Sequence, residues 1–380
     1  MCLTPEMERY IGDSQAELLR LIRDLCAIPA PSHREGKRAV FCRDWFAKNG
    51  GENVVIDDAL NVICAHGDMN GDLIVFMAHT DTVFPDLDPM PFVEAGGKMY
   101  CPGVTDDTAN LAVLMICARY MLRQTLPKGL GMLFVANSCE EGLGNLKGCR
   151  RIMEEYGSWV RELITLDGSD LRAIVTEAVG SHRYRVVVRT EGGHSFGNFG
   201  NRNAIHCLSS IIGTLYSIGV PVEGNSKTTY NVGLISGGTS VNTIAQQAEM
   251  LYEYRSDNLN CLRRMEGKFH EILDHYRSMG IEVEAEVIGE RPCAGKVEAK
   301  AMQALVDRCS AAVQAAAGMD AVFSSGSTDA NIPLSMGIPA ACISVCSGGG
   351  CHTRGEWLDI GSLSAGCCLF MHLLVSYLEN

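Results

Sequence analysis

Four apolar runs of strand length limit what this chain can fold into. They are LIVFMA (73–78), GMLFVAN (131–137), ELITL (162–166) and PAACISVC (339–346). Each is nearly continuous rather than alternating, as expected of strands buried on both faces of a mostly parallel sheet. Each also stops abruptly at polar groups. LIVFMA runs into His79-Thr80-Asp81, and GMLFVAN into Ser138-Cys139-Glu140-Glu141. ELITL ends at Asp167, and PAACISVC leads to Gly348-Gly349-Gly350-Cys351-His352. A further acidic pair, Asp106-Asp107, stands just before a helix expected from Asn110. In open α/β sheets, ligands bind beyond the carboxyl ends of the strands.

Helical spacing separates these runs, so the main domain is α/β. Helices are predicted over 14–28, 38–49, 110–124, 147–156, 296–316 and 362–378. Ser14 and Glu17 fit a capping box at the start of the first. Near residue 180 the pattern changes. RYRVVVRT alternates polar and apolar, as a strand with one wet face does. A helix over 203–218, the strands TTYNVGLI and AEMLYEYR, a helix over 260–279 and the strand IEVEAEVIG follow. That βαββαβ order is ferredoxin-like. The expected division is a discontinuous catalytic domain, 1–179 and 291–380, with an inserted lid or dimerisation domain, 180–290. An open sheet edge in such an insert invites pairing with a second copy, so a homodimer through the lid is expected.

A length of 380 residues agrees with two domains. The net charge of −13 argues against nucleic acid or an anionic membrane as partner. No apolar stretch approaches the roughly 18–20 residues that span a bilayer. The seventeen cysteines include no C-x-x-C pair, and the start MCLTPEMERY lacks a basic-then-apolar leader. Free thiols in a reducing cytoplasm are expected.

Singly, the polar strand ends have ordinary readings. Asp106 or Asp107 fits a helix cap, and Glu140-Glu141 a solvated turn. Gathered at one sheet edge, two histidines and several carboxylates form an N/O ligand set. Such a set suits Zn²⁺, with Co²⁺ or Mn²⁺ as alternatives, and not a thiolate site. One carboxylate can bridge two ions that share and activate a water. Adjacent glutamates can then divide the work, one ligating and the other moving protons.

With these motifs in place, the sequence resembles the co-catalytic zinc exopeptidases and amidohydrolases. That family includes peptidase T, glutamate carboxypeptidase, aminoacylase, acetylornithine deacetylase and succinyl-diaminopimelate desuccinylase. The resemblance runs over nearly the whole chain. It implies two Zn²⁺ per chain. One would be held by His79, Asp106 and Asp167, the other by Asp106, Glu141 and His352. It makes Glu140 the general base and has Asp81 steady the His79 imidazole. In the insert, it matches His194 of "TEGGHSFG" to a histidine that reaches into the partner subunit's site. It matches Asn242 of "SVNTI" and Arg255 of "EYRS" to substrate-binding residues, the guanidinium suiting a carboxylate. Arg291 of "ERPCAG" is a second candidate for that work. The run Asp107-Thr108-Ala109-Asn110 departs from the lysine and glycines that many relatives carry there. "STDANIPLSMGIPA" and "YNVGLISGGTSVNTIA" are closer to the peptidase members.

The expected activity is metal-dependent hydrolysis of an amide bond in a small peptide, with N-acyl amino acid deacylation as the alternative. Two other readings compete. Gly193-His194-Ser195-Phe196-Gly197 matches the serine-hydrolase elbow, which needs a strand, a sharp turn and an immediate helix. A non-catalytic metal- or peptide-binding protein would not need Glu140.

Overall fold

The computed structural model describes residues 3–378. The chain forms two compact units, Met1–Ala178 with Gly295–Asn380, and Val179–Ala294.

The first unit is built on an eight-stranded, largely parallel sheet. In spatial order its strands are Val55–Ile56, Val62–Gly67, Leu130–Asn137, Asp72–His79, Val160–Leu166, Ala340–Ile343, Ala173–Ala178 and Val322–Gly326. The strand Asp72–His79 runs parallel to both neighbours, and Ala340–Ile343 runs parallel to Val160–Leu166. Four carboxyl ends, at His79, Asn137, Leu166 and Ile343, therefore point the same way. Seven of the eight residues of Asp72–His79 are buried, which explains the unbroken apolar run. Phe76 stacks on Phe134 at 5.8 Å and meets Phe370 edge-on at 5.5 Å. Every residue of the helix Asn110–Met121 is buried, so its sequence is mostly apolar all round, and its polar members Asn110 and Arg119 are hydrogen-bonded.

The first helix is Pro5–Cys26, not 14–28. Thr4 caps it by accepting the Met7 N–H, and Pro5 occupies the first turn. Ser14 is inside the helix and buried, taking a hydrogen bond from Arg119 Nη2, while Glu17 pairs with Arg119 Nη1 at 2.7 Å. The apparent capping box is thus two residues on one helix face that hold a single arginine. The strands Ala173–Ala178 and Val322–Gly326 were not anticipated.

The second unit has a four-stranded antiparallel sheet, in the order Thr228–Gly237, Gln247–Ser256, Gly180–Arg189 and Glu282–Arg291. Two helices, Ala204–Tyr216 and Leu259–Ser278, pack on one face. Tyr184, Val186, Val188, Met250, Tyr252 and Tyr254 project to that face and close over Leu208, Ile211 and Phe269. Arg183, Arg185, Glu249, Glu253 and Arg255 alternate with them onto the other face, as the period of two requires. Thr228–Gly237 is an edge strand, with Leu234 and Ile235 exposed.

Candidate active site

His79 closes its strand beside Asn137, and its ring is 1% exposed. Nδ1 lies 3.0 Å from the Asp81 carbonyl oxygen and 3.4 Å from Asp81 Oδ1. That partner makes Nδ1 a donor and leaves Nε2 facing Asp106 Oδ1 at 3.0 Å. The other Asp106 oxygen, Oδ2, is 3.0 Å from His352 Nε2, which is 3.1 Å from Glu141 Oε1. One carboxylate therefore spans two imidazoles.

The Asp81 carboxylate is fully buried and works mainly on the next strand's turn. Oδ1 accepts the Glu140 N–H and Oδ2 the Glu141 N–H, each at 3.0 Å. Ser32 Oγ donates to Oδ2 at 2.6 Å. Asp81 thus ties the His79 strand end to the glutamate pair. Cys139, just before that pair, sits in the left-handed region at φ 57°, as does His352 at φ 63°. Such backbone costs on the order of 1–3 kcal/mol per residue and collects at functional sites. The Cys139 turn is held by Glu35, whose Oε1 accepts the Cys139 N–H at 3.1 Å.

Asp167 follows the strand Val160–Leu166, its N–H bonded to the Ile343 carbonyl at 2.8 Å. Asp106 and Asp107 are joined by a cis peptide. Asp107 does not cap a helix: its Oδ2 accepts the His79 N–H at 2.8 Å. Asn110 ties three loops together, donating to the carbonyls of Thr105 at 3.0 Å and Gly168 at 2.9 Å and accepting the Val345 N–H at 2.9 Å.

Three groups of ligand atoms lie within 4.8 Å of one another: His79 with Glu140 and Glu141, His79 with Asp107 and Asp167, and Asp106 with Glu141 and His352. The third contains the three residues that the resemblance assigns to one ion. In the second, Asp107 joins His79 and Asp167, while Asp106 reaches His79 separately.

The electrostatics favour cations. Burial pushes the Asp167 carboxyl well up, and Asp106 adds to it. Burial likewise raises Asp107, against the pull of His79 and with the push of Asp167 and Asp106. Glu141 rises to about 7 through burial, opposed by His352 and reinforced by Asp106. Asp106 and Glu141 lift His352 to about 11. For Asp81, burial is outweighed by the hydrogen bonds from His79, Ser32 and the Glu141 N–H, which hold it below the ordinary carboxylate range. For Asp106, burial is outweighed by the hydrogen bonds with His352 and His79, which hold it well below the ordinary carboxylate range. Buried acids that retain protons, packed beside a carboxylate 3.0 Å from two imidazole nitrogens, need either protons or metal ions between them. Ligands on a tetrahedral ion with bonds of about 2.0–2.2 Å stand about 3.3–3.6 Å apart, close to these spacings. The buried Asp107 Oδ1 has no hydrogen-bond partner. The residues fit a pair of divalent ions held by nitrogen and oxygen.

The other expected residues lie in the second unit. Gly193–His194 pairs with Thr243–Ile244, and the Ser195 N–H bonds to the Asn242 carbonyl at 3.0 Å, so His194 and Asn242 share one ribbon. His194 Nδ1 accepts the N–H groups of Phe196 and Gly197, each at 3.2 Å. Its proton is therefore on Nε2. Arg255 and Arg291 both stand opposite Ser181 in the sheet. Arg291 is buried. The Arg255 fork is engaged by Glu253, at 3.0 Å from both Nε and Nη2. The serine-elbow reading fails, because turns follow His194 and the next helix starts only at Ala204.

A largely parallel α/β sheet whose carboxyl edge gathers two histidines and a set of carboxylates defines a candidate dinuclear metallohydrolase. The chain belongs to peptidase family M20/M25/M40, whose family model matches residues 75–376. It is 25% identical over 276 residues to a probable carboxypeptidase of Trichophyton verrucosum, covering 65% of this chain and only 59% of that one. It is 24% identical over 315 residues to the succinyl-diaminopimelate desuccinylase of Bordetella parapertussis, covering 77% of this chain and 79% of the other. Among solved structures, aminopeptidase PepT of Bacillus cereus has the same fold, with a TM-score of 0.74, 22% identity and coverage of 96% and 98%. So does the dipeptidase Dug1p of Saccharomyces cerevisiae, with a TM-score of 0.76, 16% identity and coverage of 98% of each chain.

Ser32, Asp107, Asn110 and Glu356 were not singled out by sequence reasoning as parts of the site. Asp107 carried a signal, being acidic and adjacent to Asp106. Ser32, Asn110 and Glu356 reach the site by long-range hydrogen bonds that leave no local pattern.

Proposed function

We propose that this chain hydrolyses the amide bond of a small peptide, as a di- or tripeptidase or a carboxypeptidase, using two Zn²⁺ ions. The observation that carries the reading is the Asp106 carboxylate, 3.0 Å from an imidazole nitrogen on each side. His79, Asp106, Asp167, Glu141 and His352 would hold the ions, with Asp107 beside the His79 group. When bound, the ions would acidify a shared water and polarise the scissile carbonyl. Glu140, its backbone fixed by Asp81, takes the proton of the attacking water and returns it to the leaving amine. Asp81 fixes the His79 tautomer through its carbonyl. His194, with its proton on Nε2, donates to the developing oxyanion. Asn242, Arg255 and Arg291 bind the substrate, and Arg255 must exchange Glu253 for a substrate carboxylate.

The desuccinylase likeness supports a second reading, removal of an acyl group from an amino acid at the same site. Dipeptides, tripeptides and N-acyl amino acids assayed on zinc-, cobalt- and manganese-loaded enzyme separate the two. Turnover that survives complete chelation would remove the metal from the mechanism, and zinc-loaded protein inert on the whole panel would remove the hydrolase reading.

We further propose that Val179–Ala294 is a lid through which two copies dimerise, with His194 acting on its partner's site. Mixing Glu140→Gln with His194→Ala subunits should then restore activity, up to roughly a quarter of wild type when half the dimers are mixed. Mixtures that exchange subunits yet stay inactive would exclude the trans role. The sixteen described cysteines are all free, which supports a reducing, cytoplasmic setting. Secretion of the native protein into an oxidising compartment would contradict it.

A further inference from the structure

Asp106 can span two imidazoles only if its own loop is held in place. The loop enters through Gly103, whose backbone is left-handed at φ 78°; a Cβ there would meet Thr82 Cγ2 at 2.6 Å. Two residues on, Thr105 packs so closely that a Cβ on Gly348 would meet its Cγ2 at 2.4 Å. Neither contact fixes the direction of the Asp106 carboxylate.

That direction is set by Glu356, four residues after His352. Its side chain is 0% exposed. Oε2 accepts the Gly103 N–H at 2.7 Å. Oε1 accepts the Thr105 N–H at 2.8 Å, the Thr105 hydroxyl at 2.6 Å and the Asp106 N–H at 3.0 Å. Its backbone carbonyl also accepts the Cys101 N–H at 3.2 Å. The strand that follows it, Trp357–Asp359, pairs with Lys98–Tyr100. Burial raises the Glu356 carboxyl, and the hydrogen bonds it accepts from Thr105, Asp106 and Gly103 pull the other way.

We infer that Glu356 is a positioning residue for the metal centre. It clamps the segment that carries His352 to the loop that carries Asp106, and so sets the gap between them. The inference rests on the reading that this cluster holds two divalent ions. Glu356 reaches neither ion nor substrate and acts through Asp106 and Thr105. Partners that orient metal ligands in this way typically account for about 10–100-fold in metal affinity or activity.

The test uses metal-free full-length protein titrated with Zn²⁺ against a chromogenic chelator, with melting followed in parallel. In Glu356→Gln one oxygen becomes a donor, so at least one backbone N–H loses its acceptor. Zinc affinity should fall about 10–100-fold, while wild type takes up two ions. Thr105→Val removes the hydroxyl, and with it the contacts to Glu356 Oε1 and to Cys351 Sγ at 3.6 Å, and should give a smaller fall in the same direction. Thr105→Ser, which restores it, should bind zinc as wild type does. Unchanged zinc affinity in Glu356→Gln, whatever its melting temperature, would overturn the inference. If Glu356→Gln does not fold, unchanged affinity in Thr105→Val overturns it instead. Wild type that takes up no zinc defeats the underlying reading, an outcome distinct from both.

Discussion

Replacing Asp81 by asparagine changes almost no volume and tests the link between the two strand ends. The carboxylate accepts one backbone N–H on each oxygen, from Glu140 and Glu141, and the Ser32 hydroxyl on Oδ2. An asparagine amide has only one acceptor oxygen. Whichever way it is placed, its NH₂ faces one of those two N–H groups. A buried donor without an acceptor costs about 1–3 kcal/mol, and the remaining contacts lose their charge-assisted strength. The sum is about 2–4 kcal/mol. At about 2–4 °C per kcal/mol for a unit of this size, melting should fall by roughly 4–16 °C. The same change frees the turn that carries Glu140 and Glu141, so kcat/KM and zinc affinity should each drop about 10–100-fold. Melting scans, chelator competition and peptide hydrolysis read the three effects. An Asp81→Asn protein that melts like wild type and keeps kcat/KM within about threefold would show that the observed hydrogen bonds do not position the glutamates.

Glu140→Gln should cut turnover by about 10²–10⁴-fold while two ions remain bound; metal analysis showing an ion lost would make Glu140 a ligand instead. Metal-free protein should lose stability as pH rises. The fold keeps protons that the unfolded chain releases, on Glu141 between 4.5 and about 7 and on His352 between 6.5 and about 11. Because the folded state then binds more protons, its advantage is largest below the unfolded pKa values and shrinks through those windows. Zinc should reverse the trend by replacing the protons, and a metal-free melting temperature that climbs between about pH 5 and 9 would contradict it. Arg255→Ala should raise KM more for substrates with a free carboxylate than for their amides, through loss of a charge-assisted contact; equal effects would place Arg255 outside the carboxylate pocket.

How far the sequence carries depends on whether a residue's neighbours in space are also neighbours in the chain. LIVFMA and GMLFVAN announce buried strands because burial on both faces acts on every residue in turn. His79, Glu140, Glu141 and Asp167 stand out because each follows such a run directly. The same logic misleads at Ser14 and Glu17. Their spacing satisfies a capping rule, but it also puts both on one helix face, where they meet Arg119 about a hundred residues away. Local spacing cannot distinguish the two uses. Glu356 lies beyond that reach altogether, 251 residues from the Thr105 it holds. Asp107 marks the boundary between the two kinds of residue. Its acidity was visible, yet a carboxylate just before a helix is most simply a cap. Only the fold brings its carboxylate to the His79 N–H and leaves the other oxygen buried without a partner. Ligand types and their order can thus be read from strand ends, whereas the groups that aim them emerge only when distant loops close on one another. Substitution of Asp81 or Glu356 therefore probes the part of the site that local sequence patterns do not encode.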